Sequence, residues 1–100
     1  MEKEICTYNR LKEIYHNGKD VKERLKEIAE FIDHRYGVKI YFCKLLGRRW
    51  SYYAGIDGVM VPEENIKITD DLGICVEKGD IDPQDWIDIL DAIVRLRINL

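Results

Sequence analysis

Apolar residues recur along this chain with two different periods, and the change of period divides it. In residues 5–15, Ile5, Tyr8, Leu11, Ile14 and Tyr15 are spaced as on one side of a helix. Gly18, in Asn17-Gly18-Lys19, is placed to end that short helix in a left-handed conformation. A second, better-marked helix is predicted from Asp20. Asp20 and Glu23 have the spacing of a capping box, and Val21, Leu25, Ile28 and Ile32 form a stripe widened by Ala29, Phe31 and Tyr36. Lys22, Arg24, Lys26, Glu27, Glu30 and Asp33 make the opposite, polar side, and Gly37 closes the helix. A helix with one apolar side lies on something larger, most simply a sheet.

From residue 38 the period falls to two. Val38, Ile40 and Phe42 alternate with Lys39, Tyr41 and Cys43, as a strand requires. Gly47-Arg48 marks a turn. A second strand is predicted over residues 49–55, with Trp50, Tyr52 and Ala54 on one side. Asp57-Gly58 is a hairpin signal leading into Val59-Met60-Val61, which Pro62 stops. Residues 66–69 alternate again, Asp70-Asp71 forms a short connection, and residues 72–77 make the last strand. Connections this short predict an antiparallel meander of about five strands, since a parallel pair needs a much longer crossover. The expected fold is α+β, with the N- and C-terminal helices packed on one face of the sheet.

Asp82-Pro83 opens the last helix, Asp82 as N-cap and Pro83 at the first helical position. Gln84, Asp88, Asp91 and Arg95 form a narrow polar stripe, while Trp86, Ile87, Ile89, Leu90, Ala92, Ile93, Val94, Leu96, Ile98 and Leu100 are apolar. Such a wide apolar arc needs two companions. One is the sheet. The other is a neighbouring helix, either residues 20–36 or the short first helix, or else a second copy of the chain. The small size of the domain favours the second copy, because pairing relieves its poor surface-to-volume ratio. The expected dimer interface is Trp86, Ile87, Leu90, Val94, Arg97 and Ile98.

The chain has 100 residues, which suits a single domain: a short helical segment over residues 1–18 and a core over residues 19–100. No apolar run approaches the ~20 residues that span a bilayer, and the start, Met1-Glu2-Lys3-Glu4, is charged, so a soluble cytoplasmic chain is expected. Abundant Lys and Glu with a single Gln, Gln84, resemble a thermophile's composition. The net charge is −3, with 12 Lys/Arg against 8 Asp/Glu in residues 1–49 and 4 against 11 thereafter. That balance does not describe a uniformly basic nucleic-acid-binding domain.

Candidate chemistry is sparse. His16 and His34 fall near helix ends, where a cation is favoured by the helix dipole alone. Cys6, Cys43 and Cys75 lack metal-ligand spacing, and Cys43 and Cys75 fall within predicted strands as small hydrophobes. A cysteine–histidine pair made by tertiary contact is the only enzymatic reading, and nothing local supports it. Asp80, Asp82, Asp85, Asp88 and Asp91 do not match a calcium loop and are explained by capping and by the polar stripe. No metal site and no cofactor are expected, and neither glycine-rich phosphate motif occurs. One stretch resembles a binding surface: Lys44, Arg48, Arg49, Trp50 and Tyr53, with Tyr52, interleave cations and aromatics that could neutralise phosphates and stack bases. The acidic net charge weighs against nucleic acid, and a basic hairpin followed by a strand-favouring sequence accounts for the same residues.

The stretch Leu72-Gly73-Ile74-Cys75-Val76, a short loop, Asp82-Pro83-Gln84-Asp85-Trp86 and the apolar run to Leu96 resembles the end of a GAF domain. The opening is similar too, a helix over residues 21–36 running into strands over 38–45 and 49–55. The region between Gly55 and Ile66 is shorter than the insert around that family's ligand pocket, so no ligand residue is carried over. The resemblance implies a sensory or scaffolding role and helix-mediated dimerisation. Profilin-like relatives such as roadblock and longin domains are similar in layout and imply an interaction platform. The function expected is thus a small non-enzymatic sensory or interaction module that self-associates and takes a protein partner or small ligand, without a membrane. An RNA- or DNA-binding accessory protein using the basic-aromatic hairpin is the alternative.

Overall fold

A computed structural model describes the backbone of residues 2–56 and 62–98, and the side chains of residues 7–56 and 62–98. Three helices and four strands follow in the order α1 (Glu2–Tyr15), α2 (Val21–Tyr36), β1 (Lys39–Leu46), β2 (Arg49–Gly55), β3 (Glu64–Lys67), β4 (Leu72–Glu77) and α3 (Pro83–Arg95). The α+β class stands. The helix boundaries follow local signals: Gly37 takes the left-handed conformation (φ 72°) that closes α2, and the Asp82 carboxylate accepts a hydrogen bond from the Gln84 N–H at 2.8 Å ahead of Pro83. Asp20 does occupy the N-cap of α2, but its side chain makes no cap hydrogen bond, so the expected capping box does not form.

The sheet is antiparallel with the order β2-β1-β4-β3, which corrects the expected five-strand meander. β1 is central and pairs with both β2 and β4, while β3 pairs only with β4. The connection between β2 and β3 therefore leads from one edge of the sheet to the other, leaving beside Ile40 and arriving beside Val76. The predicted Asp57-Gly58 hairpin and the Val59-Met60-Val61 strand lie outside the described residues. The last turn is four residues long, not two. The Thr69 hydroxyl closes it, accepting from the Asp71 and Leu72 N–H groups at 3.2 and 3.1 Å.

All three helices bury side chains in one cluster with Ile40, Phe42, Ala54, Leu72, Ile74 and Val76, which come from a single face of the sheet. α2 lies over β1 and β2, and Ala29 and Ala54 are both buried. α1 packs against both α2 and α3, with Leu11 fully buried. The second companion of α3 within the protomer is thus α1 and not α2. A Thr7–Tyr36 hydroxyl hydrogen bond ties α1 to the last turn of α2. The Arg24 guanidinium donates to the Tyr15 carbonyl at 2.7 Å, neutralising the C-terminal end of α1.

Strand alternation was expected to put Ala54 with Trp50 and Tyr52. A register shift between Phe42 and Cys43 places Tyr52 opposite Cys43 and Ala54 opposite Phe42, so Tyr53 is the extra residue of a bulge. Beyond it the faces exchange, and Ala54 joins the helix-side core while Trp50 and Tyr52 stay on the other face.

Candidate functional surfaces

Two surfaces stand out, one on α3 and one on the uncovered face of the sheet. On α3, Trp86, Ile89, Ala92 and Ile93 point inward and are buried. Ile87 is 56% exposed, Val94 is 53% exposed and Leu90 is half-buried. These three fall at i, i+3 and i+7, one stripe along the outside of the helix. The helix ends at Arg95, and Arg97 takes φ 52°, which turns the chain so that Ile98 folds back into the core. Of the six residues expected at a dimer interface, Ile87, Leu90 and Val94 share the outer stripe and Arg97 is exposed just past its end. Trp86 and Ile98 face the protomer's own interior.

Charge is polarised along this helix. Asp82, Asp85 and Asp88 lie towards its start, and Arg95 and Arg97 at its end. Asp91 and Arg95 form an exposed pair at 3.6 Å, and the Gln84 amide donates to Asp88 at 3.1 Å. Beside the start of the stripe is an open cavity of about 290 Å³ lined by Lys78, Gly79, Ile81, Pro83, Trp86 and Ile87. It lies at the lower limit of small-molecule sites. Its one ammonium group is already engaged, since Lys78 pairs with Glu64 at 2.9 Å and sits over the Trp86 ring. The cavity thus extends the apolar surface around Ile87.

On the opposite face of the sheet, Tyr41, Cys43 and Leu45 of β1 share a face with Trp50 and Tyr52 of β2 and Gly73 and Cys75 of β4. Trp50 reaches across β1 to β4: a Cβ built on Gly73 would stand 2.4 Å from the Trp50 ring. Only a residue without a side chain lets the indole settle there. Tyr41 and Tyr52 meet at 5.3 Å between ring centroids. On the same face the Cys43 and Cys75 sulfurs are 3.5 Å apart, and the two cysteines are only 2% and 4% exposed. Among the described residues no helix packs on this face.

The basic-aromatic stretch expected to act together is divided by the sheet. Trp50 is on the uncovered face. Tyr53 turns to the helix side, where the Lys22 ammonium sits 5.1 Å from its ring. Lys44 and Arg49 alternate onto the helix side but remain exposed, and Arg48 is in the turn. Tyr41 and Tyr52 take the place of Tyr53. Period-two alternation already places Tyr53 on the face opposite Trp50 and Tyr52, and the structure keeps it there.

Burial pushes the Cys43 thiol up to about 12, and a hydrogen bond to Cys75 together with burial raises Tyr41 to about 12. Both groups are neutral when protonated, and both keep their protons to higher pH in the folded chain than when unfolded. The stability they contribute is therefore complete below about pH 9 and declines as the pH rises towards 12. Urea midpoints are expected to be level from about pH 7 to 8.5 and to fall above 9, less steeply in Cys43→Ala. An identical alkaline decline in Cys43→Ala would show that this thiol is not buried as described.

Among the described residues no group of three or more His, Cys, Asp or Glu side chains could hold a metal ion, and no helix is long and apolar enough to cross a membrane. Compared with known protein families, with curated proteins and with solved structures, the chain matches none.

Proposed function

We propose that this chain is a small non-enzymatic interaction module that pairs with a second copy of itself through the outer stripe of α3, in antiparallel orientation. The observation that carries this reading is the pair of exposed branched side chains, Ile87 and Val94, centred on Leu90 on the outside of a helix whose inward side is already satisfied. A two-fold axis near Leu90 sets Ile87 against Val94 of the partner subunit, and the converse contact follows by symmetry. The same operation lays the acidic start of one helix beside the basic end of the other. A parallel pair would bring like charges together at both ends, so charge selects the antiparallel arrangement. The resemblance to GAF domains implies helix-mediated pairing of the same kind.

The affinity is modest. Few apolar side chains are buried and association itself costs free energy in lost freedom, so the pairing is weak. The expected Kd is on the order of tens to hundreds of micromolar. Sedimentation equilibrium up to about millimolar protein is expected to show a reversible monomer–dimer equilibrium. Ile87→Asp and Val94→Asp are each expected to weaken it at least about 100-fold, by burying an unpaired carboxylate. Both positions are exposed in the protomer, so the unfolding free energy should change by only about 0.5 kcal/mol. A wild-type chain that stays monomeric at millimolar concentration, or dimers that persist in both variants, would contradict the proposal.

A further inference from the structure

The thiols of Cys43 and Cys75 lie on the sheet face away from α3 and take no part in its pairing. We infer that they are a reversible oxidation site, at which a small oxidant of the peroxide class closes an intramolecular disulfide that clasps β1 to β4.

The first observation is a proximity set by the fold. Across the β1–β4 ladder Cys43 is opposite Gly73 and Cys75 is opposite Tyr41, so the two cysteines are diagonal neighbours on one face. Gly73 presents no side chain to Cys43, and the two sulfurs stand 3.5 Å apart although the residues are 32 apart in sequence. A disulfide needs ~2.05 Å, so closure is a movement of about 1.5 Å shared by two side chains and two strands.

The second observation is the surroundings of the pair. Among the described residues no third His, Cys, Asp or Glu side chain joins it, so it is not part of a metal-ligand set. No helix among the described residues packs on this face, so side chains of the sheet are what separate the thiols from solvent. Two of those, Trp50 and Tyr52, are themselves 36% and 50% exposed, and side-chain motion of this kind admits a molecule as small as hydrogen peroxide. Burial pushes the Cys43 thiol up to about 12, which keeps the reactive thiolate scarce and makes closure slow at neutral pH.

The chemistry needs two steps. One thiol gives up its proton and attacks a peroxide oxygen. A sulfur–oxygen bond forms, the oxygen–oxygen bond breaks, and the departing hydroxide takes up the proton as water. The second thiol, deprotonated in turn, attacks the sulfenic sulfur. The sulfur–sulfur bond forms, the sulfur–oxygen bond breaks, and the second hydroxide leaves as water. Two thiols and one hydrogen peroxide thus give one disulfide and two waters. A partner sulfur 3.5 Å away captures the sulfenic acid before further oxygen is added.

The test is thiol counting on the folded full chain carrying Cys6→Ser, which leaves Cys43 and Cys75 as its two thiols. The reduced protein is exposed to hydrogen peroxide, alkylated in denaturant and mapped by mass spectrometry without reduction. The expected product is a single chain with neither cysteine alkylated and the Cys43 and Cys75 peptides linked to each other. Dithiothreitol should restore both thiols. The oxidised chain unfolds with a closed loop, so its urea midpoint is expected to lie about 1 M above that of the same sample after dithiothreitol. If Cys6→Ser folds poorly, the linked peptides identify the same bond in the wild-type chain. Two thiols still open to alkylation after peroxide would overturn the inference. So would oxygen retained on either cysteine, a bond between two chains, or a midpoint no higher than that of the reduced form. Closure needs one chain only, so it is expected in Ile87→Asp as well, and the α3 pairing and the thiol clasp fail separately.

Discussion

Gly55→Ala is expected to lower the unfolding free energy by about 3 kcal/mol or more, among the largest effects of any one-methyl change in this chain. Gly55 has φ 141°, where side chains are strained. A Cβ there would lie 2.6 Å from the Tyr41 Cα and 2.9 Å from the Ile40 carbonyl oxygen. Those are backbone atoms of the central strand, and they cannot swing aside as a side-chain tip would. Gly55 also closes the pairing of β2 with β1 just after the bulge, so relief by shifting the strand would cost the Tyr41–Gly55 and Phe42–Ala54 register. Urea denaturation of the purified variant measures the loss. A change below about 1 kcal/mol would mean that β2 does not pass β1 this closely.

Phe42→Ala is expected to cost about 3–5 kcal/mol. Phe42 is among the largest fully buried side chains and sits at the middle of the central strand, paired with Ala54 on one side and Ile74 on the other beneath the helices. Neighbours held by strand pairing on both sides have little freedom to collapse into the space. For a domain whose total stability is about 5–15 kcal/mol, this is a large share, and the melting temperature should fall by roughly 15–30 °C. Differential scanning calorimetry reads it directly. A drop of only a few degrees would place Phe42 outside the principal core.

The helices were readable from the sequence because their signals are local. Gly37 ends α2, Asp82-Pro83 begins α3, and the apolar periods of both are clear. β1, β2 and β4 were also placed, from alternation broken by turn residues, while β3 begins two residues before the expected 66–69. Strand order was not readable. Short connections favour neighbours in sequence, but the connection of residues 56–63 joins opposite edges, and which strands pair depends on contacts distant along the chain. The bulge at Tyr53 was silent for the same reason, since one unpaired residue on β2 is defined only by its partner strand. It reversed the placement of Ala54.

On α3 the breadth of the apolar arc was visible, but periodicity does not say which part of an arc turns inward. α1, with fewer apolar residues, proved to be the companion of α3 inside the protomer. With Trp86 buried, the exposed part of the arc is the narrower stripe of Ile87, Leu90 and Val94. The interface proposed from it is correspondingly smaller than the full run of apolar residues implied.

The pairing of α3 with itself is tested most directly by isotope-filtered nuclear Overhauser spectroscopy on a mixture of labelled and unlabelled chains near millimolar concentration. Antiparallel pairing about Leu90 predicts methyl contacts between Ile87 of labelled protomers and Val94 of unlabelled ones, where a single protomer keeps the two residues about 10 Å apart along the helix. Intermolecular contacts linking Ile87 only to its own equivalent would replace the arrangement with a parallel one, and the absence of any intermolecular contact from Ile87 or Val94 would contradict the account.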